Sequence, residues 1–385
     1  MNLKILFVDD EEEILDSFRT MFIPFKLNWE TFFANSAKEG LDILTKEDIN
    51  IVISDMVMPE IDGLTFLLKV KSLYPHIIRI VLSGFSDYEK AITSTNVVHQ
   101  FISKPCSAED LILKINSLQE ISDLLTDKNV IKFLNQIDKL PIVPDIYRKI
   151  EVELKKDDVS LNNIADIITK DIVLTAKILQ IVNSAFFSIP IDVKDLRTAV
   201  NFLGINVIKS LVLASSFFDY SGLTNEEMNF LEKVWKHSLK VAQISSSLAK
   251  NSKLSKAIAD EAYLIGLLHD IGKLSMLTNK DYSAKMLQFD NIDLDSFNQK
   301  EIDYFQTSHS FIGAYILGVW GLDNTTVKTI LNHHNNVSID WNNLTQQSIL
   351  RIADITACNI DDDPEKIKNI KIDDDFINKF NEMEK

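Results

Sequence analysis

The first 120 residues alternate short apolar runs with amphipathic stretches, and this alternation limits the fold more than any other feature of the chain. The runs are LKILFV, WETFFA, NIVISD, RIVLSG and HQFISK, followed by helix-period segments such as DGLTFLLKVKSL. Strands that are apolar on nearly every residue must be covered on both faces, and helical crossovers make neighbouring strands parallel. The pattern therefore predicts an α/β doubly wound domain with a five-stranded parallel sheet. Ligands of such sheets bind outside the carboxyl ends of the strands. Those ends carry Asp9 and Asp10, then Asp55, Ser83 and Lys104, after the first, third, fourth and fifth runs.

From Ser107 the pattern turns helical. Ser107-Ala108-Glu109-Asp110 offers a cap with acids behind it, and Leu111, Ile115, Leu118, Ile121, Leu125, Ile131 and Leu134 form an apolar stripe mostly at helical spacing. Too few clean heptads are present for a free coiled coil, so the stripe reads as a connector packed on a neighbour. After Leu140-Pro141 only helical segments follow, broken by residues such as Pro190 and Gly204, which predicts an all-α domain. The expected organisation is a first domain over residues 1–122, a helical connector over 123–139, and an all-α domain with a helical extension over 140–385.

Composition narrows the function. A net charge of −16 argues against a nucleic-acid-binding surface, which needs clustered Lys and Arg to neutralise phosphates. The two cysteines, Cys106 and Cys358, lie far apart and in no metal-binding or redox spacing. The N-terminus MNLKILFVDD turns acidic within ten residues, unlike a signal peptide, and no apolar run reaches the ~18–20 residues needed to cross a bilayer. A soluble, cytoplasmic protein without membrane contact is the expectation.

Carboxylates, a lysine and a hydroxyl gathered at strand ends are what Mg²⁺-assisted phosphoryl transfer to an aspartate needs. Oxygen ligands hold the cation, while the cation, ammonium and hydroxyl neutralise the equatorial phosphoryl oxygens. Singly, each residue has an ordinary reading as a helix cap or surface lysine. Their joint placement at four strand ends favours the phosphoacceptor. Residues 1 to about 122 closely resemble the receiver domain of bacterial two-component response regulators, through ILFVDDEEE, VISDMVMPEIDG, IVLSGFSD and FISKP in order. The resemblance implies Asp55 as the aspartate phosphorylated by a sensor histidine kinase. It also implies Mg²⁺ on Asp10, Asp55 and the Val57 carbonyl, with Asp9 acting through water. Ser83 and Lys104 are implied for the phosphoryl group, Ser83 and Phe101 for the family's switch pair, and a cis Lys104-Pro105 peptide.

Of seven histidines, His76 and His99 fall in the first half, outside the pocket. His237, His269, His309, His333 and His334 fall in the second, and with Asp270 and Asp354 they form an ordered string, H…HD…H…HH…D, expected on five helices. A lone histidine on an amphipathic helix is more often a core or surface residue than a ligand. The string as a whole suits a pair of transition metals such as iron or manganese better than Mg²⁺, which prefers oxygen shells. Lys273, at i+4 from His269, is placed to hold a substrate phosphate.

Residues 140 to about 335 resemble the HDOD family, the output domain related to HD hydrolases, through LPIVPDIY, IITKDIVLTAKILQIVNSAFF, AVNFLGINVIKSLV, GLLHDIGKL and HSFIGAYILGVWGL. The His and Asp string is also similar to that of the HD-GYP phosphodiesterases of cyclic di-GMP, whose equivalent residues bind metals. Two departures matter. NNVSIDWNN follows His333-His334, so the Gly-Tyr-Pro loop is absent, and Lys233 stands where some members carry a further metal-binding carboxylate. The expectation is a response regulator in which Asp55 phosphorylation controls an HDOD output acting by protein contact or ligand sensing. The alternative is a receiver-gated metal-dependent phosphohydrolase. Expected partners are the kinase and an output protein, with a cyclic dinucleotide or a second copy of the chain as further candidates.

Overall fold

The computed structural model describes residues 3–25, 27–74, 77–83, 97–98, 100–104, 106–109, 111–112, 115, 133–134, 145–154, 156, 160–182, 193–215, 223–252, 254–289, 293–320, 322–335, 337–359, 376–378 and 380. The chain divides into two compact units, Met1–Ile142 with Tyr315–Asn324, and Val143–Ala314 with Thr325–Lys385.

In the first unit β1 (Leu3–Val8), α1 (Glu12–Met21), β2 (Trp29–Ala34), α2 (Ala37–Leu44), β3 (Ile51–Asp55), α3 (Gly63–Leu73), β4 (Ile78–Ser83) and β5 (Gln100–Ser103) follow in order. The five strands form one sheet, β2-β1-β3-β4-β5, with every adjacent pair parallel. Ile5 lies level with Thr31 on one side and Ile51 on the other. Central strands β1 and β3 are buried nearly throughout, as runs without alternation require. The second run departs from that expectation: β2 is an edge strand, so Glu30 and Thr31 stay exposed.

Two helices open on side-chain caps that satisfy otherwise orphaned amides, Ser36 accepting from Glu39 N and Asp62 from Thr65 N. On α3, Phe66, Leu67 and Val70 face the sheet and pack with Leu6, Val8, Val52 and Val81. Phe66 is fully buried, so Phe66→Ala should destabilise this unit by about 3–5 kcal/mol, measured by urea unfolding, because the cavity cannot collapse against a rigid sheet.

The second unit is helical among the described residues. It contains α4 (Asp145–Leu154), α5 (Leu161–Thr169), α6 (Ile172–Val182), α7 (Leu196–Leu203), α8 (Ile205–Ala214), α9 (Asn225–Asn251) and α10 (Lys256–Leu268). These are followed by α11 (Ile271–Met276), α12 (Lys280–Met286), α13 (Leu294–Phe305), α14 (His309–Val319, of which Tyr315–Val319 groups with the first unit), α15 (Asn324–Leu331, whose first residue does too) and α16 (Gln346–Asn359). The 27-residue α9 starts in a reciprocal capping box between Thr224 and Glu227, and its buried face is continuous from Ser238 to Ser246. No single helix among the described residues is long and apolar enough to cross a membrane.

Several expectations lie outside the described residues. They include His76, His99, Pro105 with its peptide bond, and the connector 123–139 apart from the buried Phe133 and Leu134.

Candidate functional site

At the carboxyl ends of β1, β3 and β5 three predicted residues meet. Lys104 Nζ donates to Asp55 Oδ1 at 2.5 Å and to Asp9 Oδ2 at 2.9 Å. Asp55 Oδ2 accepts from Val57 N at 2.7 Å, and Asp9 Oδ1 from Glu11 N at 3.0 Å. Burial pushes the Asp9 carboxyl up against the opposing pull of Lys104. For Lys104, burial would lower the ammonium, but the hydrogen bonds it donates to Asp55 and Asp9 outweigh burial and raise it.

Asp10 is exposed beside this group, and Val57 lies on the exposed loop after β3. Ser83 ends β4, level with Ser103, and Phe101 is level with Val81; the side chains of Ser83 and Phe101 lie outside the description. The loop after Asp55 is held tight by Gly63, whose hydrogen would be replaced by a Cβ only 1.9 Å from the Asp55 carbonyl oxygen. An all-oxygen set of adjacent carboxylates fits Mg²⁺.

In the second unit all seven predicted donors gather. His237 Nε2 is 2.9 Å from Asp354 Oδ1, and His269 Nε2 is 3.7 Å from the same oxygen. On the other side His309 Nε2 is 2.9 Å from His334 Nε2 and 3.3 Å from His333 Nε2. Asp270 lies between the two sets: Oδ2 is 3.5 Å from His269 Nε2, and Oδ1 is 3.2 Å from His309 Nε2 and 3.9 Å from His333 Nε2. Three groups of potential ligand atoms lie within 4.8 Å of one another: His237-His269-Asp354, His309-His333-His334, and His269-Asp270-His333. The first two share no residue, and the third draws one histidine from each, which makes Asp270 the bridge.

Five separate helices do not supply these donors, contrary to expectation. His237 and Asp354 lie within α9 and α16, and His309 opens α14. His269-Asp270 forms the break between α10 and α11, and His333-His334 the turn after α15. The reason is local: His269 Nδ1 donates to Gly266 O at 2.8 Å, and His333 Nδ1 to Ile330 O at 2.6 Å, so both rings curl back over the turns they terminate. A carbonyl can only accept, so Nδ1 carries the hydrogen and Nε2 offers its lone pair inward. Lys273 pairs with Asp270, Nζ to Oδ2 at 2.8 Å, and lies 5.1 Å over the Phe297 ring.

Electrostatics reinforce this placement. Burial alone would raise the Asp270 carboxyl, but Lys273, His269 and His309 hold it well below the usual carboxylate range. Burial lowers His269, and burial with neighbouring imidazoles lowers His333 further. His237 runs the other way: hydrogen bonds with Asp354 and Cys358 overcome its burial and push it up to about 10.

The site fits a metal pair on a direct observation. His269 Nε2, Asp270 Oδ1 and Asp354 Oδ2 are buried without a hydrogen-bond partner, with Asp270 Oδ1 3.2 Å from His309 Nε2. Leaving such atoms unpaired costs about 1–3 kcal/mol each, which a cation would offset. Mixed imidazole and carboxylate donors suit iron, manganese or zinc. Sequence reasoning missed the residues behind the ligands. Glu301 binds His309, and Asp295 stands 3.2 Å from His334 Nδ1 while accepting from both terminal guanidinium nitrogens of Arg351.

Close backbone approach is also built in. A Cβ on Gly272 would fall 1.9 Å from the His309 carbonyl oxygen and 2.9 Å from Gly313 N. Gly272→Ala must therefore drive α11 from α14, carrying Asp270 away from His309. The expected loss is about 1–3 kcal/mol of stability, seen in thermal unfolding, together with weakened metal binding.

A receiver-type acidic pocket and, later in the same chain, a buried histidine-aspartate cluster define a response regulator with a helical output. A family model described as the HDOD domain matches residues 140–336, and one described as the response regulator receiver domain matches residues 5–116. The first spans just over half of the 385 residues, and the chain belongs to the HDOD domain family.

An uncharacterized protein of Treponema pallidum (strain Nichols) is 25% identical over 213 residues, covering 54% of this chain and 40% of that protein. The hydrogenase transcriptional regulatory protein HoxA of Cupriavidus necator is 32% identical over 126 residues, 32% of this chain and 25% of the relative. The chain thus spans well under two thirds of either relative. Among solved structures, an HDOD domain protein from Geobacter sulfurreducens is 26% identical with a TM-score of 0.46, covering 62% of this chain and 83% of that one. A response regulator receiver domain protein from Clostridium thermocellum is 34% identical with a TM-score of 0.30, covering 32% and 98%.

Proposed function

We propose that a sensor histidine kinase phosphorylates Asp55 and that the phosphorylated receiver controls a metal-bearing HDOD output. Asp55 supplies the nucleophilic oxygen. Lys104 is already bonded to that oxygen's carboxylate, so its ammonium is in place to neutralise an added phosphoryl group without rearrangement. Mg²⁺ on Asp9, Asp10, Asp55 and the Val57 carbonyl would supply the remaining positive charge, and Ser83 with Phe101 would relay the change through the end of β4.

On the output side the observation that carries the reading is the trio of buried, partnerless donor atoms on His269, Asp270 and Asp354. His237, His269, Asp270 and Asp354 would hold one transition-metal ion, and Asp270, His309, His333 and His334 a second, with iron or manganese suited to both. The output acts through protein contact or by sensing a ligand, because no Gly-Tyr-Pro segment follows His334 to orient a dinucleotide.

A second reading, metal-dependent phosphohydrolysis, is favoured by Lys273, a buried cation beside Asp270 suited to an anionic ester. Bound metals would supply an activated water and a Lewis acid. Turnover of cyclic di-GMP and of a generic phosphodiester by the metal-loaded full chain separates the two readings. Weak or no hydrolysis is expected, and rapid metal-dependent turnover would replace the first reading with the second.

A further inference from the structure

We infer that Glu301, held by Tyr282, is the positioning residue of His309 and sets the strength of the second metal position; the inference rests on the two-metal reading above. Glu301 lies about one turn before the end of α13 and is completely buried. A carboxylate there is costly unless every lone pair finds a donor. Its Oε1 accepts the Tyr282 hydroxyl at 2.5 Å, and its Oε2 accepts the His309 backbone N–H at 2.8 Å and faces His309 Nδ1 at 2.5 Å.

These contacts act on one ring from two sides. The backbone bond fixes the start of α14, where an amide would otherwise lack a partner. The ring bond keeps hydrogen on Nδ1 and turns the Nε2 lone pair toward Asp270, His333 and His334. The other imidazoles of the cluster are held differently: His269 and His333 by backbone carbonyls, His334 by the half-exposed Asp295. His237 faces the buried Asp354, itself a ligand, through Nε2, whereas among the described ligands only His309 leans through Nδ1 on a fully buried carboxylate outside the ligand set, which makes its ring a stronger donor. Tyr282, itself fully buried, fixes the carboxylate's other oxygen and so its rotation.

The test is a titration of metal-free, full-length wild type, Glu301→Gln and Tyr282→Phe with Co²⁺ in competition with a coloured chelator, following the visible Co²⁺ spectrum. With excess Mg²⁺ present to occupy the receiver pocket, wild type should bind two Co²⁺ equivalents. Glu301→Gln should keep one at wild-type affinity and weaken the other by about 10–100-fold. Tyr282→Phe should weaken the same equivalent by less, and it carries the test alone if Glu301→Gln does not fold. Two wild-type equivalents in both variants, or equal weakening of both equivalents, would overturn the inference and leave the metal reading standing. A wild type that binds no Co²⁺ would overturn both.

Discussion

Asp55→Asn should take up no phosphate from a small phosphodonor in the presence of Mg²⁺, whereas the wild type is modified. The loss should be complete, because the substitution removes the nucleophilic oxygen and no other described carboxylate occupies an equivalent position. Asp9 is its nearest competitor, also bonded to Lys104, but it is almost fully buried and its second oxygen is tied to the Glu11 amide. Asp10 is exposed, away from the lysine contact. Radiolabel or intact-mass measurement reads the result directly. Phosphate uptake by Asp55→Asn at the wild-type rate would move the acceptor elsewhere and undo the pocket assignment.

The second large effect is expected from replacing His269 and Asp270 together with alanine: the output half should lose the ion on His237-His269-Asp354 and hold the other more weakly. His269 belongs to two of the three donor groups and Asp270 faces both His269 and His309, so only His309-His333-His334 survives, without its neighbouring carboxylate. Part of the damage will be to the fold. Without Asp270 the buried Lys273 loses its ion-pair partner, and breaking such a pair costs about 3–5 kcal/mol. Asp270→Asn with His269→Ala keeps a polar neighbour for Lys273 and should give the same metal loss with less destabilisation. Elemental analysis after reconstitution, alongside thermal unfolding, separates the two effects. Retention of both ions by the double variant would show that the His269-Asp270 pair is not part of the metal site.

How much of this could be read from the chain depended on how unusual each signal was. Uninterrupted runs such as NIVISD have few folds open to them, and the sheet followed. The run WETFFA resembled the others in composition but lies at an edge, a distinction made by neighbours in space rather than by local sequence. The histidine string was legible because imidazoles are scarce and these five fall beside two aspartates. Helix breaks at His269 and His333 were not, since LIGLLHDIGKL keeps an apolar helical period while the ring-to-carbonyl bonds end the helix. Glu301 did leave a trace. It stands four residues after Phe297 and four before Phe305, a core position occupied by a charge, which marks a buried carboxylate with a dedicated partner.

The measurement closest to the central claim is the metal content of the full-length wild type, purified without chelator and reconstituted with iron or manganese. With Mg²⁺ in excess to fill the receiver pocket, two transition-metal ions per chain are expected, one for each of the two independent donor groups. A chain that stays metal-free after reconstitution with both metals would contradict the claim and leave His269-Asp270 as the remnant of a lost site.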